Sequence, residues 1–190
     1  MKVNGKSLAV DLAECALFVA LMTAAAYIQI PFPLVPLTFQ TVIAVLAGLL
    51  LGAKKGAVSM AVYAFIGLVG IPVFTAGGGI FYFLKPSFGY IIGFILSAWV
   101  AGIIAGRAGL PMWRYILAAM AAFIADYLIG IPYCIVCAHL SGVENLTNLL
   151  IVGNLIYMPK DAALCFLAAV LARRVVPYVG SKVRAKKRGN

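Results

Sequence analysis

The chain has 190 residues, 65% of them hydrophobic and 11% charged, with a formal net charge of +10 at pH 7. A soluble domain is about 45–50% apolar and about 25% charged, so this composition excludes an ordinary water-soluble globule and points to lipid as the solvent. The excess charge is not a nucleic-acid signature, because much of it is the tail Lys182, Arg184, Lys186, Lys187 and Arg188, directly after an apolar run, where it suits a membrane surface.

A span takes about 20 residues, so the length suits one integral membrane domain, 1–190, of six helices joined by short loops. The first predicted helix covers 8–29. Asp11 and Glu14 lie near its start and no A-x-A site follows it, so it reads as a retained helix and not a cleaved leader. Ala16, Ala20 and Ala24 form a stripe of small residues along it, which lets another helix approach closely; whether that helix is internal or foreign is open. Pro31, Pro33 and Pro36 break the helix. The second helix covers 37–51, the charged turn 52–56 follows, and the third helix covers 57–68. Residues 70–85, with Pro72 and the triplet Gly77, Gly78 and Gly79, form a long irregular loop. The fourth helix covers 87–104 and carries the spaced pairs Gly89 and Gly93, and Gly102 and Gly106. The fifth covers 113–138. Asp126 lies deep within it, where a carboxylate costs roughly 2.5–3.5 kcal/mol, so it faces the bundle; a pocket role and a hydrogen bond to a tyrosine both stay open. Residues 139–158 are a loop, His139 included, with a short helix at 145–152, and the sixth helix covers 159–176.

One side of this topology carries Lys2, Lys6, Lys54, Lys55, Arg107, Arg114, Arg173, Arg174 and the tail, and the other only Lys85 and Lys160. The asymmetry places both termini in the cytoplasm of a multi-pass protein of the cell membrane. The proline loop, the glycine loop and the segment before the sixth helix then lie outside. Irregular backbone at membrane depth survives where protein or a watery cavity satisfies it, so these loops outline a lidded small-molecule pocket. Within it, Lys160 and Asp161 at the start of the sixth helix can bond a polar solute, or Asp161 can complement the helix dipole. The glycine triplet lacks the Gly-Lys-Ser of a nucleotide loop, but permits close approach to a ligand. Phe81, Tyr82 and Phe83 could pack on a ring, whereas Trp99, Trp113, Tyr63, Tyr115, Tyr157 and Tyr178 read as interfacial or packing aromatics. Cys134 and Cys137 precede His139, but Ala138 spoils the haem pattern and one His is thin for zinc, so neither metal nor cofactor is expected.

Val35-Pro36-Leu37-Thr38-Phe39-Gln40-Thr41, the run 46–52, Gly70-Ile71-Pro72-Val73-Phe74 with the glycine triplet, Pro86-Ser87-Phe88-Gly89-Tyr90 and Pro159-Lys160-Asp161 together resemble the BioY family across nearly the whole chain. The resemblance implies a six-helix substrate-binding S component of an energy-coupling factor (ECF) transporter, which binds biotin near the outer face under the loop between helices one and two. It also implies docking on a transmembrane T component driven by a pair of ATPases, with Ala16, Ala20 and Ala24 resembling the docking surface. Two positions depart from the family pattern: Leu164 stands where a lysine is common, and Lys85 replaces a glycine. The cation for the ligand carboxylate is then Lys85 or Lys160, or the ligand is a biotin relative.

The expected pocket is Thr38, Gln40, Phe74, Gly77, Gly78, Gly79, Tyr82, Lys85, Tyr90, Asn154, Lys160 and Asp161. Asp161 or Asn154 would accept from the ureido N–H groups, aromatics would pack on the rings, and a lysine would pair with the carboxylate. The expected function is biotin uptake by a non-enzymatic membrane subunit. The rival is a small membrane-embedded transferase, but no paired carboxylates or histidine cluster supply its chemistry.

Overall fold

Glycines decide how closely the helices of this chain approach and where they turn. The computed structural model describes residues 5–31, 35–106, 110–142 and 157–187. Among them are six α-helices: α1 (Gly5–Tyr27), α2 (Gln40–Leu51), α3 (Ala53–Val69), α4 (Phe88–Ala105), α5 (Met112–Leu140) and α6 (Met158–Lys187). A 3₁₀ turn, Ile80–Leu84, lies between α3 and α4. No strand longer than an isolated bridge occurs among the described residues. Leu8–Tyr27, Phe88–Ala105 and Met112–Leu140 are each long and apolar enough to cross a membrane, and Gln40–Leu51 is a shorter apolar helix.

The helix pair α4–α5 makes the most extensive contact in the bundle. Gly89 lies against Tyr133, Gly93 against Asp126, and Gly130 under the Tyr90 ring; a Cβ at any of the three would collide with its neighbour. Gly102 does the same against Gly52 and Ala53, while Gly106 ends α4. The small-residue pattern on α4 therefore serves internal packing. On α1 the outcome is the reverse. Phe18, Met22, Ala25 and Ala26 form its buried side, packed on α2 and α3, whereas Ala16, Ala20 and Ala24 are all exposed.

Several element bounds differ from the sequence reading. The turn expected at 52–56 shrinks to Gly52, whose φ of 82° reverses the chain alone, so α3 begins at Ala53. Lys55 in its first turn reaches across to Asp11 at 2.6 Å and Glu14 at 2.8 Å on α1. The fifth helix includes His139 in its last turn, where a loop was expected. The sixth runs on to Lys187 through Pro177, because a helix need not stop where the apolar sequence stops. The short helix expected at 145–152, and Asn154, lie outside the described residues.

Candidate functional site

At the end of the bundle away from the Lys55 cluster, the loops converge. Tyr27 at the end of α1 donates to Pro72 O, and Gln29 Nε2 donates to Thr75 O at 3.0 Å. Ile30 and Leu37 pair through two backbone hydrogen bonds, 2.9 and 3.0 Å, which pinch the proline loop at its neck. The glycine loop folds on α3: the Phe74 ring fills a notch that exists only because position 67 is glycine. Gly79 N donates to Gly67 O at 2.7 Å. Gly77 and Gly79 have φ of 96° and 118°, and Gly78 lies against the Ile71 and Gly67 carbonyls with no room for a Cβ.

Between these loops and the helix ends lies a cavity with about 550 Å³ of empty space, its open mouth included. Seven of the expected pocket residues line it: Thr38, Gln40, Phe74, Tyr82, Tyr90, Lys160 and Asp161. The lining does not include Gly77, Gly78, Gly79 or Lys85. Gly78 makes its close approaches to the backbone of Ile71 and Gly67, and Gly77 and Gly79 supply the positive φ of the turn. Lys85 is exposed on the outer side of Tyr82, its Nζ 4.8 Å from that ring's centre and 3.4 Å from Ala76 O.

The polar focus is the first turn of α6. Lys160 Nζ donates to Thr38 O at 2.6 Å and lies 2.7 Å from Asp161 Oδ1. That second contact is an ion pair without hydrogen-bond alignment, so Oδ1 keeps an unmade hydrogen bond. Asp161 Oδ2 accepts from Tyr127 Oη at 2.6 Å. Asp161 also complements the helix dipole at this N-terminus. The aromatic wall is contiguous: Tyr63 meets Phe74 edge-on at 5.3 Å, Phe74 meets Tyr82 at 4.5 Å, and Tyr90 meets Tyr127 at 5.5 Å. Thr75 Oγ1 and Tyr82 Oη, 3.0 Å apart, hold Tyr82 to the loop. Among the described residues the site thus offers a cation, a carboxylate, an amide and aromatic faces, a set suited to binding a small polar solute with an apolar body.

The sequence reading missed Thr41, Tyr63, Thr75, Tyr127 and Tyr157 on the cavity wall. Tyr63 and Tyr157 were read as interfacial or packing aromatics, but they are 0% and 5% exposed and face the cavity. Their usable signal was position, since each stands near the loop-bearing end of its helix. Trp99 and Trp113 are exposed, as lipid-facing aromatics would be. Asp126 is fully buried against Gly93 and does not line the cavity; its side chain interacts with Thr41 of α2, which does. The tyrosine–carboxylate bond instead joins its neighbour Tyr127 to Asp161.

Fold and site together define a multi-pass helical membrane protein with a solute cavity at one end. Comparison with known proteins names the kind. The model of the BioY family matches residues 1–181, and the chain belongs to that family. A probable biotin transporter BioY of Lysinibacillus sphaericus is 42% identical over 168 residues, covering 87% of this chain and 86% of that protein. Another, of Pyrococcus horikoshii, is 35% identical over 161 residues, covering 84% and 92%. The crystal structure of the S-component for biotin from an ECF-type ABC transporter superposes with a TM-score of 0.68 at 24% identity, covering 92% of this chain and 94% of that one, which establishes the shared fold.

Proposed function

We propose that this chain captures biotin at the outer end of its helical bundle and delivers it inward as the S component of an ECF-type transporter. The carrying observation is the cavity in which Lys160 and Asp161 stand among Phe74, Tyr82 and Tyr90, in a chain whose relatives are named biotin transporters. Biotin has a ureido ring with two N–H donors and a carbonyl, an apolar body and a carboxylate, and each part has a counterpart here. Asp161 Oδ1, with its unmade hydrogen bond, accepts from the ureido ring, together with Asn154. The aromatic wall packs on the bicycle, with Thr38 and Gln40 at its polar edge. Lys160 pairs with the carboxylate in preference to Lys85, because Lys160 lines the cavity and Lys85 does not. Gly77, Gly78 and Gly79 contribute by shaping the loop that carries Phe74 and Tyr82.

The exposed stripe Ala16, Ala20 and Ala24 is the docking surface for the T component, which couples to the ATPase pair. The protein is not an enzyme. It sits in the cell membrane as one integral domain of six spans, both termini cytoplasmic, as the Lys/Arg asymmetry supports. Equilibrium binding of labelled biotin to the purified protein tests the substrate: saturable binding, displaced by unlabelled biotin, is expected. A biotin relative that displaces the label better than biotin itself reassigns the cargo, and absence of saturable binding refutes the reading.

A further inference from the structure

The hydrogen-bond chain behind Gln40 fixes which atom of its amide the cavity meets. Gln40 opens α2, is 5% exposed and lines the cavity. Its side-chain amide lies 2.7 Å from Tyr63 Oη, which in turn lies 3.0 Å from Val73 O. A backbone carbonyl has no proton to give, so the phenol donates to Val73 O. A phenol carries one proton, so toward Gln40 its oxygen can only accept. The amide nitrogen of Gln40 therefore faces Tyr63, an orientation assigned by the network itself. The carboxamide oxygen is the atom left for the cavity, and none of the described hydrogen bonds ends on it.

Tyr63 is well placed to hold this arrangement. It is 0% exposed, and its ring is set edge-on against Phe74. Val73 is buried, and its N–H donates to Ile71 O at 2.8 Å, so the acceptor at the end of the chain is fixed as well.

We propose that Tyr63 is a positioning residue: through its hydroxyl it holds the Gln40 carboxamide oxygen toward the cavity as an acceptor for a ligand N–H. The site then selects a solute with an N–H donor, of the cyclic urea class, over an isostere with oxygen at that place. With the amide reversed, Gln40 would present N–H groups and favour the isostere. The inference rests on the biotin reading and names a reader of the ureido ring additional to Asp161.

Four proteins are measured: wild type, Tyr63→Phe, Gln40→Leu and the double variant. Each is assayed for equilibrium binding of biotin and of its cyclic carbamate analogue, in which oxygen replaces one ureido N–H, with thermal stability read on the same samples. Tyr63→Phe keeps the ring and removes the hydroxyl, and is expected to weaken biotin about five- to twentyfold, the scale of one lost hydrogen bond left unsatisfied, and the carbamate less. Gln40→Leu leaves the Tyr63–Val73 bond in place and must by itself shrink the preference for biotin over the carbamate. In the Gln40→Leu background, Tyr63→Phe should change biotin affinity less than about twofold, since residues acting through one contact couple in a double-mutant cycle. Equal losses for both ligands, or a Tyr63→Phe loss of the same size in both backgrounds, overturn the positioning role and mark Tyr63 as loop support. If Tyr63→Phe does not fold, a Gln40→Leu protein with wild-type preference overturns it alone. Wild type that binds neither ligand overturns the biotin reading and this inference with it, whereas intact wild-type binding with additive losses overturns only the inference.

Discussion

Replacing Lys160 with Met should cost biotin affinity in a way that depends on the ligand's charge. The Lys160 side chain is 25% exposed, and its ammonium bonds Thr38 O and faces Asp161, so it is partly shielded from water and held at the cavity wall. A charge-assisted hydrogen bond there is worth about 1.5–3 kcal/mol, or roughly 10- to 150-fold in Kd, and partial exposure favours the lower half of that range. A neutral amide accepting from the same lysine gains about 0.5–1.5 kcal/mol. Lys160→Met should therefore weaken biotin by tens-fold and reduce the preference for biotin over biotinamide by about tenfold. The substitution also leaves Asp161, its side chain 8% exposed, without its cation, which lowers stability. Taking the ratio of acid to amide within one variant removes that common loss. Lys85→Met is the control, because Lys85 is exposed and outside the lining; it should change biotin affinity less than about threefold. Isothermal titration with both ligands decides the matter. An acid-to-amide ratio unchanged in Lys160→Met, or lowered instead in Lys85→Met, refutes the assignment.

Ala20→Trp should leave biotin affinity near wild type and abolish co-purification with the T component and uptake, since it enlarges an exposed stripe remote from the cavity; loss of binding with loss of stability would show that the stripe packs internally. For orientation, Phe81→Cys is the better reporter than a cysteine at Gly78, because Phe81 is 76% exposed while Gly78 has no room for a Cβ. In a background without the native cysteines it should react with an impermeant thiol reagent in intact cells, and reaction only from the cytoplasmic side would invert the topology. Gly93→Ala should lower the melting temperature by the equivalent of about 1–3 kcal/mol, since the new methyl meets Asp126 across the α4–α5 contact; an unchanged melting temperature would show that the helices separate at little cost.

The helices were legible because lipid imposes one rule along the whole chain: apolar runs of span length, broken where prolines and glycines cluster. The family likewise lay open in its loop motifs. The parts that resisted reading are those where one residue does the work of several. A single Gly52 replaces the five-residue turn that the charges suggested. The glycine triplet looked like a ligand cradle, yet its special backbone angles and its missing Cβ serve a loop whose product is the placement of Phe74 and Tyr82. Tyr63 and Tyr127 could not be told from lipid-facing aromatics, because in a membrane helix both faces are apolar and periodicity does not mark the inside. Asp126 stood out in sequence for its cost, and the structure buries it beside the cavity wall instead of on it.

The pairing of charges at the cavity wall also argues that capture is a sharing of partners and not a neutralisation of free charges. A bare ammonium and a bare carboxylate set in a wall of Phe and Tyr would each be costly to keep from water. Here Lys160 already meets Asp161 and Thr38 O, and Tyr127 already donates to Asp161, so each charge has a partner within the protein. Each group nevertheless retains capacity. An ammonium has three donors, of which one is aligned on Thr38 O, and Asp161 Oδ1 accepts no aligned bond. On the biotin reading, a solute that brings an N–H to Asp161 and a carboxylate to Lys160 adds bonds at both ends without stripping either group of its present partner. A solute that brings only the carboxylate competes with Asp161 for one lysine and leaves the Asp161 acceptor unmade. Selectivity for a molecule carrying both functions then follows from the pairing already built into the cavity wall.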